Sequence, residues 1–125
     1  MPLAWIVDDD EDMSHAVKLM LGMLDYRVES FREARSAARS LASGTAPDLL
    51  ILDINMPEVS GIDMLEYIRR PGGRPSLPVI MLSSETTDVQ VDEAMAKGAD
   101  AFVFKPVTIE ELETAIGRVL PAAAG

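Results

Sequence analysis

The chain has 125 residues, a formal net charge of −10 from 21 acidic against 11 basic residues, and no cysteine. Disulfides, thiolate metal sites and cysteine nucleophiles are excluded. The acidic excess argues against nucleic acid as a direct ligand, because phosphate contacts need Lys and Arg, and it disfavours an anionic membrane surface; it suits a cation or a partner with a basic patch. The length fits one domain spanning 1–125, with its core over 3–120 and the tail "PAAAG" expected to fray. No apolar run approaches a membrane span, and no basic segment precedes the N-terminal apolar residues, so a cytoplasmic protein is the default expectation.

In chain order, "LAWIV" (3–7) is an apolar run without polar interruption, which predicts a strand covered on both faces. Met13, Ala16, Val17, Met20, Leu21 and Leu24 then follow helical spacing with a full apolar stripe. "YRVESF" (26–31) interleaves polar residues and reads as an edge strand, and Ala34, Ala37, Ala38 and Leu41 return to the helical period. "DLLIL" (48–52) is the next buried strand. Ile62, Leu65 and Ile68 space a looser helix, and "RRPGGRPSLP" (69–78) reads as a helix-to-strand connection. "PVIML" (78–82) is the fourth strand. Ala94 and Met95 anchor a weaker helix ahead of Gly98, a plausible C-cap. After "AFVF" (101–104), Ile109, Leu112, Ile116, Val119 and Leu120 mark the last helix. Thr108 is placed as its N-cap, and Glu110, Glu111 and Glu113 follow where the helix dipole favours acids. The eight methionines are expected mostly as core fillers. The pattern predicts an α/β fold, (βα)5, doubly wound on a five-stranded parallel sheet.

Parallel strands all end on one edge, where open α/β sheets bind ligands. Asp8, Asp9 and Asp10 follow the first strand, Asp53 and Asn55 the third, Ser83, Ser84 and Glu85 the fourth, and Lys105 and Pro106 the fifth. A strand order 2-1-3-4-5 would make strands one and three neighbours, so that Asp8, Asp9 and Asp53 converge. Carboxylates so close repel unless a cation joins them, and an all-oxygen site suits Mg²⁺, with Mn²⁺ as the alternative ion. A lysine opposite suits an anion beside the metal, and a hydroxyl can hydrogen-bond that anion. Together these are parts for phosphoryl transfer onto an aspartate.

The motifs "IVDDD", "LLILDINMP" with Gly61 following, "VIMLSS" and "FVFKP" occur in order, and through them nearly the whole chain resembles the receiver domain of two-component response regulators, including the chemotaxis regulator. The resemblance implies a flavodoxin-like fold with Asp53 as phosphoacceptor. It implies Asp9 as a direct Mg²⁺ ligand, Asp8 acting through a bound water, and Asn55 ligating through its backbone carbonyl. Ser83 would follow the phosphoryl group, Lys105 would pair with its oxygens, and the Lys105–Pro106 bond would be cis. Phe102 takes the place of the switch aromatic, and Asn55 and Glu85 are the residues that tune phosphoryl lifetime, a pairing that implies a fairly short-lived group. The donor would be a sensor histidine kinase or phosphotransfer protein. Output would pass through the face of the fourth helix, fifth strand and fifth helix to a downstream protein or output domain, with no direct nucleic acid and no membrane. Such a domain catalyses only its own phosphorylation and dephosphorylation.

Simpler roles compete at several positions. Asp10 and Asp12 read as helix N-terminal acids, Ser84 as a loop hydroxyl and His15 as a solvated surface residue. Phe102 reads equally as a packed edge-strand aromatic. An aspartyl phosphatase would need an acid two residues after Asp53, where Asn55 stands, and an inserted cap. A pure interaction module with a degenerate site would not need all of these polar residues.

Overall fold

The uninterrupted apolar runs have a direct counterpart in a sheet that buries both faces. The computed structural model describes residues 1–84 and 88–120. They form β1 (Leu3–Val7), α1 (Glu11–Met23), β2 (Arg27–Phe31), α2 (Ala34–Ala42), β3 (Leu49–Asp53), α3 (Gly61–Arg69), β4 (Val79–Ser83), α4 (Asp88–Ala96), β5 (Ala101–Phe104) and α5 (Ile109–Val119). All pairings are parallel, in the order β2-β1-β3-β4-β5. The expected tail, 121–125, lies outside the described residues.

Successive strand residues point to opposite faces, and the core divides accordingly. Trp5, Val7, Leu50, Leu52, Val79 and Met81 pack with α2, α3 and Ala94 of α4. Ala4, Ile6, Leu49, Ile51, Ile80 and Leu82 pack with α1 and α5. Each central strand thus supplies both layers, so no polar residue can alternate within it. β2 lies at the edge and buries none of its residues fully, as its mixed sequence predicts.

Two expectations need correction. The third and fourth strands run one residue further than expected, so Asp53 and Ser83 are their last paired residues, in register with Leu82 and Phe104. Met95 is 43% exposed and does not anchor α4; among the described residues of the helix only Ala94 is fully buried. The methionines are mostly core fillers, as expected: Met56, Met64 and Met81 are buried and Met13 and Met20 pack partly buried against the core, while Met1, Met23 and Met95 are exposed. Helical spacing identifies a stripe but not where neighbouring layers stop covering it.

The C-terminus of α4 closes as expected at Gly98, whose φ of 107° is left-handed. Ala99 N–H donates to Ala94 O at 3.1 Å and Gly98 N–H to Met95 O at 3.1 Å, the two bonds of a Schellman motif. Arg69 ties this end to the rest of the sheet's lower edge. Its guanidinium donates to Gly98 O (3.0 Å), Arg74 O (2.9 Å) and Asp100 Oδ2 (2.9 Å). The opposite, carboxyl edge is thereby left to loops that carry polar side chains.

Candidate functional site

Asp8 leaves β1 with its backbone N–H donating to Phe31 O at 3.0 Å, which turns its side chain inward. Only 1% of it is exposed, and Oδ1 accepts from Asp10 N–H at 2.9 Å. Asp53 ends β3 and is 2% exposed. Asp9, one residue past Asp8, is exposed. Carboxylate oxygens of Asp8, Asp9 and Asp53 lie within 4.8 Å of one another. Lys105 reaches in from the end of β5, with Nζ 3.1 Å from Asp8 Oδ2 and 3.1 Å from Asp53 Oδ1. Its backbone N–H donates to Ser83 O at 2.8 Å, and a cis peptide bond links it to Pro106.

The electrostatics follow from this crowding. Burial, then the Asp8 charge, push the Asp53 carboxyl up to about 6, against the opposing pull of Lys105. Burial disfavours the Lys105 ammonium, but the bonds and charges of Asp8 and Asp53 outweigh it and hold its pKa above the ordinary lysine value. One cation thus faces two buried anions. Asp8 Oδ2 and Asp53 Oδ1 share that one ammonium at 3.1 Å, and neither has another hydrogen-bond partner among the described residues. Buried acceptors that share a single cation in this way, in an all-oxygen set of three acids, fit a hard divalent ion.

The hydroxyl and amide flank the pair. Ser83 is fully buried; its Oγ donates to Gln90 Oε1 at 2.9 Å and accepts from Asn55 Nδ2 at a long 3.5 Å. The loop after β3 is drawn tight where Gly61 N–H donates to Ile54 O at 2.9 Å. Phe102 is half-buried, packs against the α2–α3–α4 layer, and sets its ring 5.1 Å from that of Phe104 at a tilt of 54°.

A family model described as the response regulator receiver domain matches residues 4–117. The chain belongs to the response regulator receiver family. This receiver is 34% identical over 98% of its length to the transcriptional regulatory protein KdpE of Mycobacterium tuberculosis, of which it spans 54%. It is 31% identical over 96% of its length to AfsQ1 of Streptomyces coelicolor, of which it spans 52%. The receiver therefore spans about half the length of these curated relatives. Among solved structures, the chemotaxis protein CheY4 of Vibrio cholerae superposes with a TM-score of 0.86 at 30% identity, covering 96% of this chain and 99% of that one. The family is that of phosphoryl-accepting signalling domains of two-component systems, and the fold expectation, including strand order, stands. Among the described residues, no helix is long and apolar enough to cross a membrane.

Of the expected site residues, the receiver brings Asp8, Asp9, Asp53, Asn55, Ser83 and Lys105 to one edge, whereas Glu85 lies outside the described residues. Asp10 serves as the N-cap of α1, accepting from Asp12 and Met13 N–H at 3.0 and 3.2 Å. His15 and Ser84 are exposed. Two participants were not anticipated. Gln90 carries no signal in sequence, since its reach to Ser83 depends on how α4 sits on the sheet. Gly61 stands in sequence only as part of a motif, yet a Cβ there would overlap Asp53 O and lie 2.8 Å from Ile54 Cα.

Proposed function

We propose that this receiver accepts a phosphoryl group on Asp53 from the phosphohistidine of a sensor histidine kinase or a phosphotransfer protein. The observation that carries the reading is the Lys105 ammonium held between the buried carboxylates of Asp8 and Asp53. Asp53 Oδ attacks phosphorus, the O–P bond forms as the P–N bond breaks, and the electron pair returns to the imidazole nitrogen. Lys105 then pairs with the phosphoryl oxygens and Ser83 donates its hydroxyl proton to one of them. Asp9 and Asp53, with the Asn55 backbone carbonyl, would hold Mg²⁺ or Mn²⁺, with Asp8 acting through a water. Bound there, the cation would supply charge neutralisation at the acids and at the transferring group.

The domain turns over no external substrate; it catalyses only its own phosphorylation and its loss. Asn55 and Glu85 set a fairly short phosphoryl lifetime. Ser83 and Phe102 relay the change to the face of α4, β5 and α5, which engages a downstream protein or an output domain in the cytoplasm, not nucleic acid or membrane directly. The excess of acid, 21 against 11 basic residues, supports that restriction.

The test is intact mass after incubation with acetyl phosphate and Mg²⁺. Wild type should gain one phosphoryl mass and Asp53→Ala none. A wild type that gains no mass would overturn the reading.

A further inference from the structure

A serine hydroxyl has one proton to give, and in this structure the proton of Ser83 is given to Gln90. Ser83 Oγ donates to Gln90 Oε1 at 2.9 Å from a fully buried position at the end of β4. Phosphoryl oxygens only accept hydrogen bonds. The hydroxyl therefore cannot serve Gln90 Oε1 and a phosphoryl group on Asp53 at once.

Gln90 lies in the first turn of α4, the helix with the weakest hold on the core. Ala94 is its only fully buried residue among those described, while Val89 is 80% and Met95 43% exposed. The far end of α4 is fixed by the Gly98 turn and by Arg69. The near end is joined to β4 by the Ser83–Gln90 bond. Phe102, with no phenol oxygen, cannot provide a hydroxyl link between Ser83 and the edge of the sheet.

We infer that Gln90 is a positioning residue: it holds the Ser83 hydroxyl in the resting orientation and, by losing that hydrogen bond on phosphorylation, loosens the first turn of α4. The inference rests on the phosphorylation of Asp53 proposed above. Its physical content is a competition. A group that stabilises only the unphosphorylated arrangement lowers affinity for a phosphoryl mimic by the strength of that interaction.

The experiment measures beryllofluoride binding in Mg²⁺ for wild type, Gln90→Met, Ser83→Ala and the double variant. Methionine keeps the length of glutamine and removes its strong acceptor. Gln90→Met should bind the mimic about 3- to 10-fold more tightly than wild type, the range of one net hydrogen bond. In the Ser83→Ala background the same change should have no effect, which a merely structural role of Gln90 would not reproduce. Amide hydrogen exchange from Asp92 to Ala96 in the unliganded protein should be faster in Gln90→Met. Unchanged or weaker mimic binding by Gln90→Met, while wild type binds it normally, overturns the inference alone. Failure of wild type to bind overturns the phosphorylation reading and this inference with it. Equal effects of Gln90→Met with and without Ser83 likewise overturn it.

Discussion

Lys105 and Asp53 stand 3.1 Å apart, ammonium to carboxylate, with Asp8 at the same distance from the same nitrogen. The cation proposed to receive the phosphoryl oxygens is thus already in place, and it also keeps two buried acids from facing each other unpaired. Lys105→Ala should accordingly do two things. Phosphorylation by acetyl phosphate should slow on the order of 10²-fold, the usual cost of one preorganised electrostatic partner. In metal-free protein the Asp53 pKa should climb beyond about 6. Mass spectrometry over time reads the first and carboxyl NMR titration the second. An unchanged rate would remove Lys105 from the site's chemistry.

The raised Asp53 pKa predicts the sign of a stability change. Its folded value, about 6, lies above the ordinary 3.8, so the folded state holds the proton more tightly than the unfolded chain does. The contribution is fully present below about pH 4 and is lost as pH rises through 6. Asp53→Asn has no such charge to bury. In metal-free protein its advantage over wild type should open between pH 4 and 6 and level off near pH 7 at up to about 3 kcal/mol, the size of such a shift. Urea denaturation at pH 4.5 and 7.5 checks this, and a difference that shrinks with rising pH would contradict it. Mg²⁺ at pH 7.5 should raise the Tm of wild type more than that of Asp53→Asn, because the ion relieves the same repulsion.

The neighbouring acids Asp9 and Asp10 separate a proposed ligand from an observed cap. Asp9 is exposed and lies in the carboxylate cluster, so Asp9→Asn should cost little stability yet abolish most of the Mg²⁺-dependent rise in Tm. Asp10 caps α1 through two backbone N–H groups. Asp10→Ala should cost about 1 kcal/mol and leave the response to Mg²⁺ intact. Thermal melts with and without the ion distinguish the two, and a reversed pattern would reassign the ligand.

These positions also show what the chain makes legible. The four inner runs could be read because a parallel sheet covered on both faces leaves no room for polar alternation; Trp5 and Ile6 go to opposite layers and both must be apolar. Strand ends carrying Asp8, Asp53 and Lys105 then follow from topology. Asp53 and Ser83 were expected beyond their strands because charge and hydroxyl normally mark an exit; the ladder to Leu82 and Phe104 holds them inside. Met95 has the right period, but the neighbouring layer leaves it 43% exposed. Gln90 was invisible for a related reason: a bond between residues on β4 and α4 depends on the docking of α4, which no local pattern encodes.

One substitution, made at two glycines, tests how the loop bearing Asn55 is held. At Gly61 the backbone of α3 comes so near β3 that a Cβ would overlap Asp53 O and lie 2.8 Å from Ile54 Cα. The obstacle is backbone, with no side chain to swing aside, and part of it belongs to Asp53, the proposed phosphoacceptor. Gly61→Ala should therefore cost roughly 1–3 kcal/mol, as overpacking does. It should also slow phosphorylation, because relief requires moving the backbone that aims Asp53. At Gly117, exposed in α5, a Cβ meets nothing within 4 Å. Gly117→Ala should stabilise by about 0.5–1 kcal/mol through the lower helical entropy cost of alanine, and leave phosphorylation unchanged. Denaturant midpoints and acetyl phosphate labelling of the two variants decide the matter. A neutral Gly61→Ala would mean that the loop yields freely and that close backbone approach does not position Asp53.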